Sequence, residues 1–135
     1  MKAHLAVLDD ERRMGQILGM VLTREGYTVE VFHQPRAFLK ALDEEMFDLL
    51  LTDLKMPQMD GVEVLRRAKE ACPDMPVILM TAYADVKTAI AAMREGAFDY
   101  VEKPFDNDAC KALVRRALDV TRLARENRYL RAQLR

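Results

Sequence analysis

The sequence of 135 residues lacks the features of several protein classes. It contains no run of eighteen or more apolar residues, so no segment has the composition of a membrane-spanning helix. Its two cysteines, Cys72 and Cys110, are too few for a disulfide framework, and we expect both to be ordinary helix residues in a reducing compartment. The net charge of -1 supplies no basic field that attracts nucleic acid, so direct nucleic-acid binding is not expected.

Two kinds of functional signal are also missing from the sequence. The first residues lead directly into an apolar run and a pair of acids, which is unlike a secretory signal, and a cytoplasmic location is therefore expected. No phosphate-binding loop of the form GxxxxGK[ST] occurs, so these residues are not expected to hydrolyse ATP.

The length of the chain is that of one domain with an adequate core.

Strand-like and helix-like segments alternate along the chain. Short apolar or β-branched runs predict strands at 5–8, 28–32, 47–52, 77–80 and 98–101. Helical spacing of apolar residues predicts helices at 11–24, 35–42, 62–71, 85–95 and from 106 to the C-terminus. This alternation predicts an α/β, flavodoxin-like, doubly wound fold with a five-stranded parallel sheet in the order 2-1-3-4-5.

Polar residues follow four of the predicted strands. Asp9 and Asp10 end the first, Asp53 the third and Thr81 the fourth, and Lys103 follows the fifth. In an open parallel sheet, ligands bind beyond the carboxyl ends of the strands, so these side chains are expected at one rim. Taken singly, the acids and the threonine are more typical of helix caps or loops, and the lysine of a solvated surface. Their coincidence at one rim favours a site.

Three close carboxylates repel each other. At about 4 Å and an effective dielectric near 20, each pair costs roughly 4 kcal/mol, so the cluster needs a cation. Oxygen ligands without histidine or thiolate favour a hard ion, and Mg²⁺ suits partial hydration and a phosphate. A metal ion, an ammonium and a hydroxyl around an aspartate could together stabilise a phosphoryl group on that aspartate.

Four separated segments resemble the signature of response-regulator receiver domains of two-component signalling. They are Leu8–Glu11, Leu51–Pro57 with Asp60-Gly61, Met80–Ala82, and Tyr100–Phe105. The resemblance implies that Asp53 accepts a phosphoryl group from a sensor histidine kinase. It also implies Mg²⁺ ligation by Asp10, Asp53 and the Lys55 backbone carbonyl, with Asp9 acting through a bound water.

The resemblance further implies a switch. Lys103 would pair with the phosphoryl oxygens, Thr81 would move its hydroxyl onto them, and Tyr100 would swing inward. Ala82 would leave the phosphodonor a path to the acceptor. The Lys103-Pro104 bond would be cis, aiming the lysine at the site. Lys55 and Tyr83 stand where the family varies its dephosphorylation rate.

The last predicted helix is longer than a receiver needs. Leu113, Val120, Asn127 and Leu134 are spaced by seven, and Leu123 and Leu130 interleave with them. These six residues form a predicted coiled-coil seam, with Asn127 fixing the register of a homodimer. Arg116 occupies the first interleaving position, so the pattern is convincing only from Val120. A solvated helical tail is the alternative.

The run 125–131 resembles the linker between receivers and the AAA+ ATPase domain of sigma-54-dependent, nitrogen-regulator-type activators. We therefore expect a receiver at 1–119 and a dimerisation linker at 120–135 toward an output domain absent from this sequence. The chain would then regulate transcription through dimer arrangement rather than act as a conventional enzyme.

Two other functions are compatible with the rim. One is a small Mg²⁺-dependent phosphatase with an aspartyl nucleophile. Such enzymes commonly carry a second acid two residues after the nucleophile, where this sequence has Lys55. The other is a dimerising scaffold that is never phosphorylated, against which the retained acids, Thr81 and Lys103 argue.

Overall fold

The computed structural model describes residues 2–82, 86–104 and 106–134. Five strands alternate with five helices in chain order. They are β1 His4–Leu8, α1 Arg12–Arg24, β2 Thr28–Phe32, α2 Pro35–Glu44, β3 Leu49–Asp53, α3 Gly61–Ala71, β4 Val77–Thr81, α4 Val86–Arg94, β5 Asp99–Glu102 and α5 Asn107–Gln133. Tyr83, the predicted helix start at Asp85, Phe105 and the terminal residues Met1 and Arg135 lie outside the described residues.

The strands form one parallel sheet in the order β2-β1-β3-β4-β5, which confirms the predicted fold class. Two apolar clusters cover its faces. One lies against α2 and α3, and the other against α1 and α5. The near-continuous burial of β1, β3 and β4 is what a parallel sheet covered on both faces requires.

Helix ends follow local chemistry. Pro35 stands at the first turn of α2, where its missing N–H costs no hydrogen bond. Gly26 and Gly96 follow α1 and α4 with φ of 98° and 103°, a region that glycine enters without a steric penalty. The Asp60 side chain accepts a hydrogen bond from Glu63 N and caps α3.

Strand β3 begins two residues later than the predicted start at Phe47 and includes Asp53. Phe47 packs its ring against Phe32 and Phe38 instead of joining the ladder. Asp53 is paired with Met80 of β4, so the acid belongs to the strand itself. Its backbone is therefore fixed by the sheet.

Helix α5 is unbroken over 27 residues, about 40 Å. Its first half buries Cys110, Leu113, Val114 and Ala117 in the core. From Val120 onward its large apolar residues are exposed. No helix among the described residues is long and apolar enough to cross a membrane.

Candidate functional site

The carboxyl ends of four strands bring the predicted side chains to one rim. Asp53 and Thr81 end β3 and β4, while Asp9 and Lys103 come directly after β1 and β5. The register pairs Leu8 with Thr52, Asp53 with Met80 and Thr81 with Glu102, so these ends are level. The arrangement follows from strand pairing, since each polar residue is either the last residue of a strand or the residue directly after it.

One carboxylate oxygen from each of Asp9, Asp10 and Asp53 lies within 4.8 Å of the other two. Lys103 contacts two members of this cluster. Its Nζ lies 2.8 Å from Asp9 Oδ2 and 3.6 Å from Asp53 Oδ1. We call these four residues the acid rim. Three negative groups and one positive group leave it with a net negative charge, which suits a divalent cation.

Asp9 is fully buried, and both of its carboxylate oxygens have partners. Oδ1 accepts from the backbone N–H of Glu11 at 2.9 Å, and Oδ2 accepts from Lys103. The Asp9 carbonyl is 3.0 Å from Nδ1 of His33, which donates because a carbonyl can only accept. Asp10 is exposed and Asp53 is partly exposed.

Burial and neighbouring charge shift the proton affinities in the acid rim. Burial raises the pKa of Asp53 to about 6; Lys103 opposes this rise, and Asp9 and Asp10 add to it. Burial by itself would lower the pKa of Lys103, but Asp9 and Asp53 together raise it above the ordinary value. Lys103 therefore stays charged, while Asp53 is an unusually basic carboxylate.

Thr81 and Tyr100 share one face of the sheet. Tyr100 is paired with Leu79 and Glu102 with Thr81, and residues two apart along a strand point to the same face. Thr81 is buried, whereas Tyr100 is 38% exposed. Ala82 is exposed beside the rim. The Lys103-Pro104 peptide bond is cis, and Lys103 N donates to the Thr81 carbonyl at 2.6 Å.

The loop after β3 closes tightly against α3. Gly61 N donates to the Leu54 carbonyl at 2.6 Å. A Cβ on Gly61 would lie 2.5 Å from the Asp53 carbonyl oxygen and 2.8 Å from Leu54 Cα. Only glycine fits this approach without movement of backbone. Lys55, two residues after Asp53, has an exposed side chain in this loop.

Sequence reasoning did not assign roles to His33 or Gly61. His33 directly follows β2, so the rule that strand ends converge at one rim would have included it. Gly61 belonged to the quoted Asp60-Gly61 segment, but its close approach to Asp53 depends on how α3 docks. That contact is invisible in local sequence.

The six seam residues do not share one environment. Leu113 is 8% exposed and packs in the core of the domain. Val120, Leu123, Asn127, Leu130 and Leu134 are exposed. Leu113 is thus a core residue rather than part of an exposed surface, and a dimer seam from Val120 onward stays a prediction.

Comparison with known proteins agrees with this geometry. Residues 5–115 match the family model described as response regulator receiver domain. The chain is 44% identical over 117 residues to the DNA-binding transcriptional regulator NtrC of Proteus hauseri, covering 87% of this chain and 25% of that protein. It is 40% identical over 133 residues to the C4-dicarboxylate transport transcriptional regulatory protein DctD of Pseudomonas aeruginosa, covering 98% and 29%.

A solved structure of NtrX from Brucella abortus superposes with a TM-score of 0.91 at 30% identity, covering 96% of this chain and 30% of that one. The chain thus spans between a quarter and a third of the length of these relatives. Receiver domains act through phosphorylation, pair with sensor histidine kinases, bind Mg²⁺ at an acidic pocket and control linked output domains. The chain belongs to the response-regulator receiver family, with relatives among the NtrC-type regulators of transcription.

Proposed function

We propose that Asp53 is the phosphoacceptor of this receiver. The observation that carries the proposal is the acid rim itself. Asp53 presents a carboxylate of raised pKa beside the ammonium of Lys103, at 3.6 Å, and within 4.8 Å of two further carboxylates. A basic carboxylate is a better nucleophile, and the lysine supplies a fixed positive charge where phosphoryl oxygens would gather.

The transfer would begin with a phosphohistidine of a sensor kinase. A carboxylate oxygen of Asp53 attacks phosphorus, the new O–P bond forms as the P–N bond breaks, and the imidazole leaves with the electron pair and takes up a proton. Water later attacks the same phosphorus, which releases inorganic phosphate and restores the carboxylate. The chain thus undergoes its own phosphorylation and dephosphorylation without turning over a separate substrate.

The donor set of the acid rim fits Mg²⁺. Its three acids offer oxygen ligands only, and Asp10 and Asp53 are less buried than Asp9. We expect Asp10, Asp53 and the Lys55 carbonyl to hold the ion, and Asp9 to contribute through water because its own oxygens bond Glu11 and Lys103. Bound Mg²⁺ would neutralise charge that develops on the phosphoryl oxygens.

The switch would use the shared face of Thr81 and Tyr100. A phosphoryl group adds about 1.5 to 2 negative charges and new acceptor oxygens at Asp53. The Thr81 hydroxyl would turn toward them, and the space it leaves would admit the partly exposed Tyr100 ring. The result is a population shift of the surface formed by α4, β5 and α5.

We further propose that residues 120–135 form the dimerising linker and 1–119 the receiver. Support comes from the exposed apolar series after Val120 and from relatives that extend well beyond this chain. Phosphorylation would alter the dimer and so control an output domain of the sigma-54-activator type. Sedimentation with and without beryllofluoride tests this. Leu130→Ser should weaken self-association, whereas Arg122→Ser, off the seam, should not.

Incubation with acetyl phosphate and Mg²⁺, followed by intact-mass measurement, tests the phosphoacceptor. We expect a gain of one phosphoryl group in the wild type and none in Asp53→Asn. Asp119→Asn, an exposed acid of α5, is the matched control and should be labelled normally. Equal labelling of Asp53→Asn would contradict the proposal. Catalytic release of phosphate from small phosphoesters would indicate the phosphatase, and no reaction would indicate the scaffold.

A further inference from the structure

A second cluster of ligating side chains lies at the opposite end of the sheet. It contains His4, Glu30 and Glu45, whose ligand atoms lie within 4.8 Å of one another. His4 is the first residue of β1, Glu30 is in the middle of the edge strand β2, and Glu45 follows α2. Three elements that are separate in sequence thus contribute one side chain each, and none takes part in the acid rim.

The His4 ring is oriented as in metal-binding histidines. Its Nδ1 lies 2.9 Å from the Met46 carbonyl oxygen, so Nδ1 carries a proton and donates. Nε2 then points to Glu30 Oε1 at 3.3 Å. A carboxylate only accepts, so a lone pair on Nε2 would face another lone pair. The arrangement requires a cation between the two atoms, a second proton on the ring or a proton on the glutamate.

The position of His4 is fixed by several contacts. Its backbone N–H donates to Asp48 Oδ2 at 2.7 Å, and its carbonyl accepts from Asp48 N at 2.7 Å. The ring centroid lies 4.5 Å from that of Phe47. Because backbone and ring are both held, Nε2 is directed at Glu30 without a further loss of side-chain freedom.

The surrounding charge also favours a cation. Helix α2 ends in Asp43 and Glu44, followed by Glu45, and its last turn contains no basic residue. The carboxyl end of a helix is itself partially negative, so three acids there are unfavourable by themselves.

We propose that His4 Nε2, Glu30 and Glu45 bind a divalent transition-metal ion of the Zn²⁺ type. Two ligands about 2.05 Å from a tetrahedral zinc ion are roughly 3.3 Å apart, which matches the Nε2–Oε1 separation. Water would complete the coordination. The nitrogen donor separates this site from the acid rim, whose oxygen donors suit Mg²⁺. The bound ion would join β1, β2 and the end of α2.

Zinc titration of the ¹⁵N-labelled full chain, saturated with Mg²⁺, tests the proposal. The chain has two histidines, His4 and His33, so their ring nitrogens can be told apart. ZnCl₂ should shift the His4 Nε2 resonance up to one equivalent and leave His33 unchanged. Calorimetry should give a micromolar or tighter Kd, which Glu30→Gln and Glu45→Gln each weaken by at least about tenfold.

Glu44→Gln is the matched control, because it removes a neighbouring acid that is not in the cluster; its Kd should stay close to that of the wild type. Asp10→Asn, which alters the acid rim, should also bind zinc normally. The proposal is overturned if His4 takes up a second proton instead of zinc at neutral pH. It is equally overturned if zinc shifts only the acid rim, or if the two glutamine variants bind as tightly as the wild type.

Discussion

The two ends of the sheet carry similar side-chain clusters in different surroundings. Each end gathers three potential ligands within 4.8 Å. At the carboxyl end, Asp9 is fully buried and the side chains of Lys103 and Asp53 are 11% and 13% exposed. At the amino end, the side chains of His4 and Glu30 are 23% and 38% exposed. Burial makes unbalanced charge costly, so the carboxyl end needs a fixed lysine and the amino end does not.

Strand β1 connects the two clusters, since His4 is its first residue and Asp9 follows its last. Five residues of strand span roughly 16 Å, about twice the distance over which physiological salt screens charge. The clusters should therefore act independently. In a parallel sheet, the topology gathers the polar residues that follow the strands at the carboxyl end. The amino-end cluster instead depends on β1, on its neighbour β2 at the edge of the sheet and on the end of α2.

The largest expected effect comes from removing the fixed charge that distinguishes the carboxyl end. Lys103→Met should slow phosphorylation of Asp53 by acetyl phosphate roughly a hundredfold, since one preorganised donor to a developing anion has about that value. The rate can be followed by intact mass. Lys111→Met, at a lysine of α5 outside the acid rim, is the control. A rate within a factor of three of the wild type would show that the lysine has no such role.

Asp53→Asn should stabilise the Mg²⁺-free chain at pH 7. The pKa of Asp53 is about 6 in the fold against an ordinary 3.8, so its ionised form is disfavoured by folding. At about 1.36 kcal/mol per pKa unit, the difference gives a gain of at most about 3 kcal/mol.

The direction of the Asp53 pKa shift determines the pH range in which Asp53→Asn stabilises the chain. A raised pKa means that the cost is absent below about pH 4, grows as pH rises and is complete above about pH 6. Urea unfolding of the two proteins from pH 4 to 7.5 should therefore diverge with rising pH and converge again when Mg²⁺ is added. Parallel curves across this range would contradict the raised pKa of Asp53.

Gly61→Ala tests whether the loop positions the acceptor. The added methyl would lie 2.5 Å from the Asp53 carbonyl oxygen, so backbone must move, at a cost of about 1 to 3 kcal/mol. We expect lower stability in urea together with slower phosphorylation. Gly26→Ala should lower stability without slowing phosphorylation. Alanine disfavours the positive φ of this position, but its methyl would meet no atom within 4 Å. If Gly61→Ala and Gly26→Ala were phosphorylated at equal rates, the loop would have no role in positioning Asp53.

The smallest effect should come from the amino end. Without metal, Glu30→Gln should change the free energy of unfolding by less than about 0.5 kcal/mol, because the side chain is partly exposed and water replaces its contacts. With ZnCl₂, the wild type should gain stability that the variant lacks. A large metal-free loss would mean that Glu30 has mainly a structural role.

Much of the fold was predictable because each element has a local signal. Apolar runs predicted the buried strands, and the helical spacing of apolar residues predicted the helices. The acid rim followed from topology, since Asp53 and Lys103 directly end or follow strands. Contacts that depend on packing were not predictable in this way. The burial of Leu113 within the core is one example, because a heptad pattern does not distinguish a core face from a dimer face.

The amino-end cluster shows the same limit. His4, Glu30 and Glu45 have no motif spacing, and they meet only because β1 and β2 are paired and α2 ends beside them. His33 is a similar case, because its hydrogen bond to the Asp9 carbonyl depends on the register between β1 and β2. Register and helix docking, which arise from the whole core, determine these contacts.

A ¹³C NMR titration of the Asp53 carboxyl group, with and without Mg²⁺, tests the electrostatic basis of the phosphoacceptor site most directly. Burial of Asp53, with the neighbouring acids adding to it, predicts a pKa of about 6 in the absence of metal and a marked fall once Mg²⁺ is bound. A pKa near 3.8 under both conditions would mean that neither burial nor the neighbouring acids perturb Asp53 and that it shares no cation with them.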